Sequence, residues 1–435
     1  MKNIFKLKIV SIFVLLLMLS TSCEERYLNP STVSQEQAVA DANSLIALCN
    51  GLQYRYTNGR TSPIYSFLTA NGLSTRELDN PNAGNNNEDN LRIGGISVIS
   101  NNTITTRLWE ELNLLKSNAQ IVLDNTAVVT DNSIKAAIIA HASIYKALAL
   151  GNLATFFEKA PIAVSENAVF NTRIEVLNAA IVSAKNAVSA LQGVTIPAAF
   201  TSRTSGNINY INTANALIAR YYLMLGDNAN ALAFANLVPN TFKSQLIFDQ
   251  ITGNSIFVTH YSNTNVCRPF ANLGLPASLA VNPSDGRLPF HLKIPLPAGA
   301  NLGNGFFNTI TAPIPFYTPG EIALIKAEAY ARLNDLPNAT TFLNSVLTKT
   351  AAADLYGVGA NLPPYSGAAT QAALLDEIYK NRKIELFMLG LSLEDSRRFG
   401  RPGPGVVGAE RTRNFYPYPL SEFQNNPNTP PNPAN

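Results

Sequence analysis

Apolar side chains recur at steps of three and four residues along most of the chain. One such run contains Leu108, Trp109, Leu112, Leu115 and Val122. A helix of 3.6 residues per turn brings these positions onto one face, so the run predicts an amphipathic helix with Trp109 in the core. Similar patterns predict helices at about 35–51, 105–122, 133–157, 172–191, 212–225, 229–237, 319–333, 337–347 and 371–399.

The helical periodicity disappears between residues 240 and 318. Prolines and glycines interrupt this stretch, and short apolar runs such as 246–249 and 255–260 lie between them. This pattern of residues is typical of loops with short strands. Residues 350–370 and 400–435 are similar, and the second of these ends in a proline-rich tail that is not expected to fold alone.

One pattern occurs twice, 108 residues apart. Ala219–Val238 (ARYYLMLGDNANALAFANLV) aligns without gaps with Ala327–Val346 (AEAYARLNDLPNATTFLNSV). Each copy has a helix, a tight Gly-Asp or Asn-Asp turn and a second helix, which resembles the tetratricopeptide hairpin. Because the copies are not adjacent, we predict a mainly α fold. It is a tetratricopeptide-like helical hairpin scaffold with long loop-rich insertions and a few short strands. One domain is expected over 35–435, with its main insertion at about 240–318.

The N-terminal segment has the layout of an export signal. Three lysines within the first eight residues precede the apolar run Ile9–Leu19, and small residues lead to Cys23. The run is too short to span a bilayer core of about 30 Å. The cysteine after small residues resembles a bacterial lipobox, although Ser20 stands where Leu is usual. We predict a signal peptide at 1–22, lipidation of Cys23 and a tether at 23–34. An ordinary signal peptide with an incidental cysteine is the alternative.

Charge argues against a nucleic-acid partner. Only 14% of residues are charged, and the net charge is +3. Loss of the three signal lysines leaves equal numbers of basic and acidic residues, whereas nucleic-acid binding needs a basic surface. Two cysteines remain, Cys49 and Cys267, and a disulfide between them is possible in an exported protein. A buried free thiol is the alternative for Cys49.

The sequence shows no catalytic or metal-binding constellation. His141, His260 and His291 have no second ligand at metal spacing, and His141 is predicted to be a packed helix residue. Neither a nucleophile elbow nor a Walker loop occurs. Adjacent carboxylates such as Glu110 and Glu111 point about 100° apart on a helix and do not face one substrate. We therefore expect neither an enzyme nor a cofactor.

Several motifs, taken in order, resemble the SusD/RagB family of Bacteroidetes outer-membrane lipoproteins. They are Trp109 with Asn118-Ala119, residues 142–161, Asp285-Gly286-Arg287-Leu288, residues 321–330, residues 382–398 and Tyr416-Pro417-Tyr418-Pro419. The closing helix departs from the family pattern, since Asn381 stands for an acid, Leu389 for Glu and Ser392 for Arg. The replaced charges are expected to tie this helix to neighbouring segments, so the departures indicate a divergent member.

The resemblance implies a binding protein rather than an enzyme. Family members sit on the cell surface over a TonB-dependent SusC-like transporter and capture oligosaccharides, or peptides in some branches, for uptake. An outer-membrane, lipid-anchored protein that faces the cell exterior is therefore expected. Glu24 and Glu25, directly after Cys23, are similar to the acidic signal that directs such lipoproteins outwards.

Two loop segments offer the aromatic faces and planar polar groups that a sugar needs. The ligand-binding candidates are Asp79, Asn85, Asn86, Asn87 and Asp89 in the polar loop 78–90, and Tyr261, Asn263, Phe306 and Phe307 in the insertion. The alternative for the first set is a disordered Asn-rich loop. For the second set it is a small aromatic core.

Two other functions remain open at this point. One is a structural accessory lipoprotein that stabilises the barrel complex without a ligand of its own. The other is an exported glycan-active enzyme on a helical scaffold, against which the missing catalytic constellation counts.

Overall fold

A computed structural model of the protein describes residues 34–204, 206–262, 266–293 and 305–434. The predicted signal peptide, Cys23 and nearly all of the predicted tether lie outside these residues, and so does Asn263.

Helices form most of the regular structure, which confirms the predicted mainly α fold class. In chain order they are α1 (Gln35–Ala38), α2 (Ala42–Thr57), α3 (Pro63–Ser74), α4 (Asn86–Ile93), α5 (Thr103–Asp124), α6 (Asn132–Phe156), α7 (Arg173–Ala190), α8 (Ala198–Thr201), α9 (Tyr210–Leu225), α10 (Asn228–Ala235), α11 (Leu288–His291), α12 (Pro319–Arg332), α13 (Leu336–Leu347), α14 (Gln371–Glu385), α15 (Ser392–Arg398) and α16 (Leu420–Asn425).

Helix α3 was not predicted, because every one of its residues is buried. A helix that is covered on all sides has no polar face, and so it shows no amphipathic period. Ser62 starts the helix by accepting a hydrogen bond from the backbone amide of Tyr65, and Pro63 occupies the first turn.

The helix predicted over 371–399 is wrong as one continuous element. Helix α14 ends at Glu385 and α15 begins at Ser392, with Met388 (φ 60°) and Gly390 (φ 79°) between them. Residues in the left-handed region cannot continue a right-handed helix, so the chain turns here.

Six short strands form three antiparallel pairs within the described residues. They are β1 (Leu78–Asp79), β2 (Lys159–Pro161), β3 (Phe170–Thr172), β4 (Gln245–Leu246), β5 (Arg268–Pro269) and β6 (Ile314–Pro315). Strand β1 pairs with β5, β2 with β3, and β4 with β6. Three of these strands lie in the insertion, where short strands were predicted.

The two copies of the sequence repeat form matching helix hairpins, α9–α10 and α12–α13. Tyr222 stacks on Phe234 in the first copy with ring centroids 5.7 Å apart, and Tyr330 stacks on Phe342 in the second at 5.6 Å. Helix α10 packs against α12, so copies that are distant in sequence are neighbours in the fold.

The core is centred on α6, which packs against α5 and α7. An 18-residue window of α6 is apolar enough to cross a membrane, but 78% of that window is buried within the protein. Trp109 is 1% exposed, as predicted, and its indole N–H donates to Glu422 over 2.8 Å. Tyr416 and Tyr418 are fully buried beside it, so the C-terminal segment contributes to the main core.

Candidate functional site

The antiparallel pair β1–β5 joins the two segments that were predicted separately to bind a ligand. Leu78 lies opposite Pro269 and Asp79 opposite Arg268. The amide of Phe270 donates to the carbonyl of Glu77 over 3.0 Å and extends the pairing by one step. We call residues 76–79 and 268–270 the β1–β5 ribbon. It connects the end of α3 to the insertion.

Four charged side chains form a cluster at the Asp79 end of this ribbon. Arg268 donates two hydrogen bonds to one oxygen of Asp79, at 3.1 and 2.9 Å. Arg92 is 2.7 Å from Asp89 and 3.8 Å from the second oxygen of Asp79. Asp79, Asp89, Arg92 and Arg268 are the ribbon cluster, in which Arg92 links the two aspartates.

The ribbon cluster is locked in place but open to solvent. The side chains of Arg92 and Arg268 are 39% and 41% exposed, whereas those of Asp79 and Asp89 are 18% and 14% exposed. Each guanidinium uses some of its five N–H donors on a carboxylate, and its side chain is still partly exposed to solvent. Two positive and two negative charges leave the cluster neutral. Such fixed, planar groups, in a cluster without net charge, suit the hydroxyls of a sugar.

The asparagines of segment 78–90 have mainly local structural contacts. This segment was predicted to be a loop, but it contains β1 and the first part of α4, because the run from Asn86 onward forms a helical turn with Glu88 and Asp89 near its start. Asn87 accepts a hydrogen bond from the amide of Thr103 at the start of α5. Asn85 precedes α4, and Asn86 is exposed in its first turn.

The three aromatic candidates of the insertion that the structure describes are buried. Tyr261, Phe306 and Phe307 are 6%, 7% and 3% exposed. The ring of Tyr261 lies 6.2 Å from that of Phe307, and the ring of Phe306 lies 5.6 Å from that of Tyr356. These rings pack beneath the surface, so a ligand role for them stays a prediction without an exposed face to support it.

A further arginine, Arg60, pairs with Glu88, which precedes Asp89 of the ribbon cluster in α4. Arg60 is 58% exposed and 3.3 Å from Glu88, and its guanidinium stands 5.6 Å from the centre of the Tyr65 ring. His260 stacks beneath Tyr65 with ring centroids 5.5 Å apart. Burial, and then the nearby Arg60, lower the pKa of His260 to about 3, so this histidine is neutral at physiological pH.

The other histidines and the cysteines are packed groups. His141 is fully buried between Tyr210 and the carbonyl of Cys49, and burial lowers its pKa to about 4. This confirms the prediction of a packed residue. Cys49 and Cys267 are free buried thiols. Across the described ranges, no group of three or more His, Cys, Asp or Glu side chains is placed to hold a metal ion.

The two aspartates of the ribbon cluster were predicted from the sequence as ligand-binding residues, whereas its two arginines were not. Arg92 follows Asp89 by three residues, a spacing that brings side chains together on a helix and could have indicated the pair. Arg268 carries no comparable signal, since only the β1–β5 pairing brings it to Asp79 across 189 residues.

Comparison with known proteins identifies the fold. No protein-family model matches the sequence, and no curated protein matches it. Solved structures do match. A SusD-like carbohydrate binding protein from Bacteroides vulgatus has a TM-score of 0.70 at 17% identity, over 89% of this chain and 97% of that one. One from Bacteroides fragilis has a TM-score of 0.65 at 16% identity, over 90% and 99%.

A third solved structure gives the same result. A SusD homolog from Bacteroides thetaiotaomicron matches with a TM-score of 0.70 at 13% identity, over 90% of this chain and 97% of that one. These matches cover about nine-tenths of this chain and nearly all of each solved chain, while the low identity places this sequence far from its structural neighbours. The protein thus has the SusD-like fold, in a sequence that has diverged widely from the solved examples.

Proposed function

We propose that this protein is a non-catalytic, lipid-anchored surface protein that binds an oligosaccharide and delivers it to a TonB-dependent SusC-like transporter. The observation that carries this proposal is the fold similarity, over about nine-tenths of the chain, to proteins described as SusD-like carbohydrate binding proteins. The ribbon cluster supplies the chemistry, because its half-exposed guanidinium groups are held by carboxylates and present donors to solvent.

The neutrality of the cluster favours a sugar over a charged peptide. A hydroxyl both donates and accepts, so Arg92 and Arg268 can donate to it while the carboxylate edges accept from it. The groups are already fixed before a ligand arrives, which lowers the entropy cost of binding. A short peptide is the second ligand class, and it would use the same donors through its carbonyl groups.

Anchorage rests on Cys23 in this proposal. Diacylation together with N-acylation would hold the chain at the outer membrane, since each buried methylene contributes about 0.8 kcal/mol. A Cys23→Ala variant is expected to leave the membrane fraction. If it still fractionates with the outer membrane, the transporter rather than the lipid anchors the protein.

Glycan and peptide arrays with the soluble chain that starts at Glu24 test the ligand. We expect binding to a restricted set of glycans, and Arg92→Gln with Arg268→Gln to weaken it by about tenfold or more, because each removes a charge-assisted donor. Arg107→Gln is the matched control, since Arg107 is 52% exposed on α5 and pairs with Glu110 at 3.5 Å. Arrays without any bound ligand, together with an intact copurified barrel, would contradict the receptor role and favour a structural accessory protein.

A further inference from the structure

A second pocket lies at the other end of the β1–β5 ribbon. It has a volume of about 480 Å³, and its walls come from three separate segments, 76, 270–277 and 406–410. Phe270, Leu275, Pro276 and Val406 give it apolar surface. Phe270 is half-buried and Val406 is 58% exposed, so the pocket is open to solvent.

Arg76 carries the uncompensated charge of this pocket. Its side chain is exposed, and it makes no hydrogen bond or ion pair with any other part of the chain that the structure describes. The other charged group in the lining, Glu410, is already bound by Tyr379 at 2.6 Å and by Arg401 at 2.7 Å. The pocket therefore presents one free guanidinium beside apolar walls.

The backbone around Arg76 is strained in a way that fixes this arrangement. Arg76 (φ 59°) and Leu273 (φ 54°) are both non-glycine residues in the left-handed region. Gly274 (φ 76°) follows, and a Cβ atom at that position would lie 2.7 Å from the carbonyl oxygen of Arg76. Asn272 holds this turn through hydrogen bonds to Gly274 and Leu275. Such strained residues cluster at ligand sites, where the surrounding structure holds them.

We propose that this pocket binds the carboxylate of an acidic sugar unit, a hexuronate within an oligosaccharide. The proposal rests on the proposed glycan-binding function and names the ligand class. A guanidinium pairs bidentately with a planar carboxylate, and an aromatic ring such as Phe270 packs against the C–H face of the sugar. Arg76 and Asp79 are three residues apart, so their backbones are at most about 11 Å apart and the acid site lies next to the ribbon cluster.

The test compares matched pairs of glycans, hexuronate oligomers and the neutral hexose oligomers of the same linkage and length, on an array and by titration calorimetry. The protein is the soluble chain starting at Glu24. We expect the wild type to favour the acidic partner by about tenfold, because the charged hydrogen bonds are absent from the neutral one. This preference is expected to shrink as salt is raised, since the pocket is open.

The variant Arg76→Asn removes the charge at little cost to folding. Asparagine tolerates the left-handed region better than arginine, so the backbone strain is relieved rather than increased. Arg76→Asn is expected to bind acidic and neutral oligomers equally, whereas Arg107→Gln is expected to keep the acidic preference. Phe270→Ala is expected to weaken binding of the acidic oligomer as well.

The outcomes separate the two proposals. A wild type that binds neutral and acidic partners equally, or an Arg76→Asn variant that keeps the preference, would overturn the acid site and leave glycan binding standing. Failure of the wild type to bind any oligomer would overturn both proposals. An unfolding temperature of Arg76→Asn at or above that of the wild type would establish that any lost preference comes from the missing guanidinium.

Discussion

The two copies of the helix hairpin carry opposite charges at one matched position, which is partly buried in the first copy and fully buried in the second. Arg220 in α9 corresponds to Glu328 in α12 in the gapless alignment of the repeats. Arg220 binds both oxygens of Glu321, at 2.6 and 2.8 Å, and the carbonyl of Phe316 at 2.8 Å. The arginine of the first copy therefore reaches forward to the start of the second.

Glu328, in the second copy, pairs with several arginines instead. Its carboxylate is fully buried and lies 2.7 Å from Arg398, 2.8 Å from Arg332 and 3.9 Å from Arg382. Arg332 belongs to the same helix, whereas Arg398 and Arg382 belong to α15 and α14. The second hairpin is thus fixed to the closing helices by charge.

Two sets of residues in the repeat have different roles. The shared turn and the stacked aromatics build each hairpin, whereas the buried charge selects what the hairpin packs against. A buried ion pair is weak support for stability as such, but removing one partner leaves an unpaired charge in the interior.

The largest expected effect is the loss of Glu328. Glu328→Ala removes the carboxylate that binds Arg398 and Arg332, and Asp395 is left as the shared partner of Arg398 and Arg382. Because three arginines then surround a buried position that has lost its negative charge, the free energy of unfolding is expected to fall by about 3–5 kcal/mol. The matched change in the first copy, Arg220→Ala, leaves only Glu321 unpaired, and a loss of about 3 kcal/mol is expected. Urea unfolding measures both, and a larger loss for Arg220→Ala would contradict this ranking.

The same position predicts a pH dependence. Burial alone would raise the pKa of Glu328, but Arg398, Arg382 and Arg332 outweigh it and lower the pKa to about 2, from 4.5 in a free chain. The carboxylate therefore stabilises the fold above about pH 4.5, and this contribution of up to about 3 kcal/mol is lost as the pH falls towards 2. Unfolding free energies of wild type and Glu328→Gln should converge over this range. A constant difference would rule out the shifted pKa.

A smaller and equal effect is expected at the two helix starts. Asp227 caps α10 by accepting from the amide of Asn230, and Asp335 caps α13 by accepting from the amide of Asn338. Asp227→Ala and Asp335→Ala should each cost about 1 kcal/mol, because a helix amide loses its partner. Thermal unfolding measures both, with the conservative Asp→Asn changes as controls that retain the cap. Clearly unequal losses would show that the copies are not equivalent at the turn.

The smallest effect is expected from exchanging the turn residues themselves. Gly226 (φ 79°) and Asn334 (φ 62°) occupy the same left-handed position in the two copies. Gly226→Asn and Asn334→Gly should each change the unfolding free energy by less than about 0.5 kcal/mol, since both residues tolerate this conformation. Asn334→Val, measured in the same way, should cost about 1–2 kcal/mol. A neutral Asn334→Val would contradict the need for a left-handed turn.

The sequence revealed much of the helical scaffold because its elements are amphipathic and its repeat is local. Helices such as α5 and α7 have one apolar face, and the hairpins are defined by residues within twenty positions of each other. Helix α3 was not predicted from the sequence because it has no polar face. The closing helix was predicted as continuous because its break depends on Met388, a residue whose positive φ is set by packing rather than by type.

The candidate site was less accessible from sequence for a different reason. Asp79 and Asp89 stood out as polar residues in a polar segment, but their arginine partners depend on a two-residue strand pairing. In the closing helix, Asn381 and Ser392 looked like lost charges. The structure gives both a partner, since Asn381 accepts from the buried Arg287 over 2.8 Å and Ser392 bonds to Glu77. Neutral side chains thus keep connections that charges were expected to provide.

The burial of Tyr416 and Tyr418 has a consequence for how the chain is made. Tyr416 stacks on Phe156 with ring centroids 5.7 Å apart, and the hydroxyl of Tyr418 accepts from the amide of Lys159. The core around α6 therefore lacks two of its rings until residue 418 has left the ribosome. A nascent chain with an unfinished core stays open for longer. The two tyrosines thus couple completion of the core to completion of the chain.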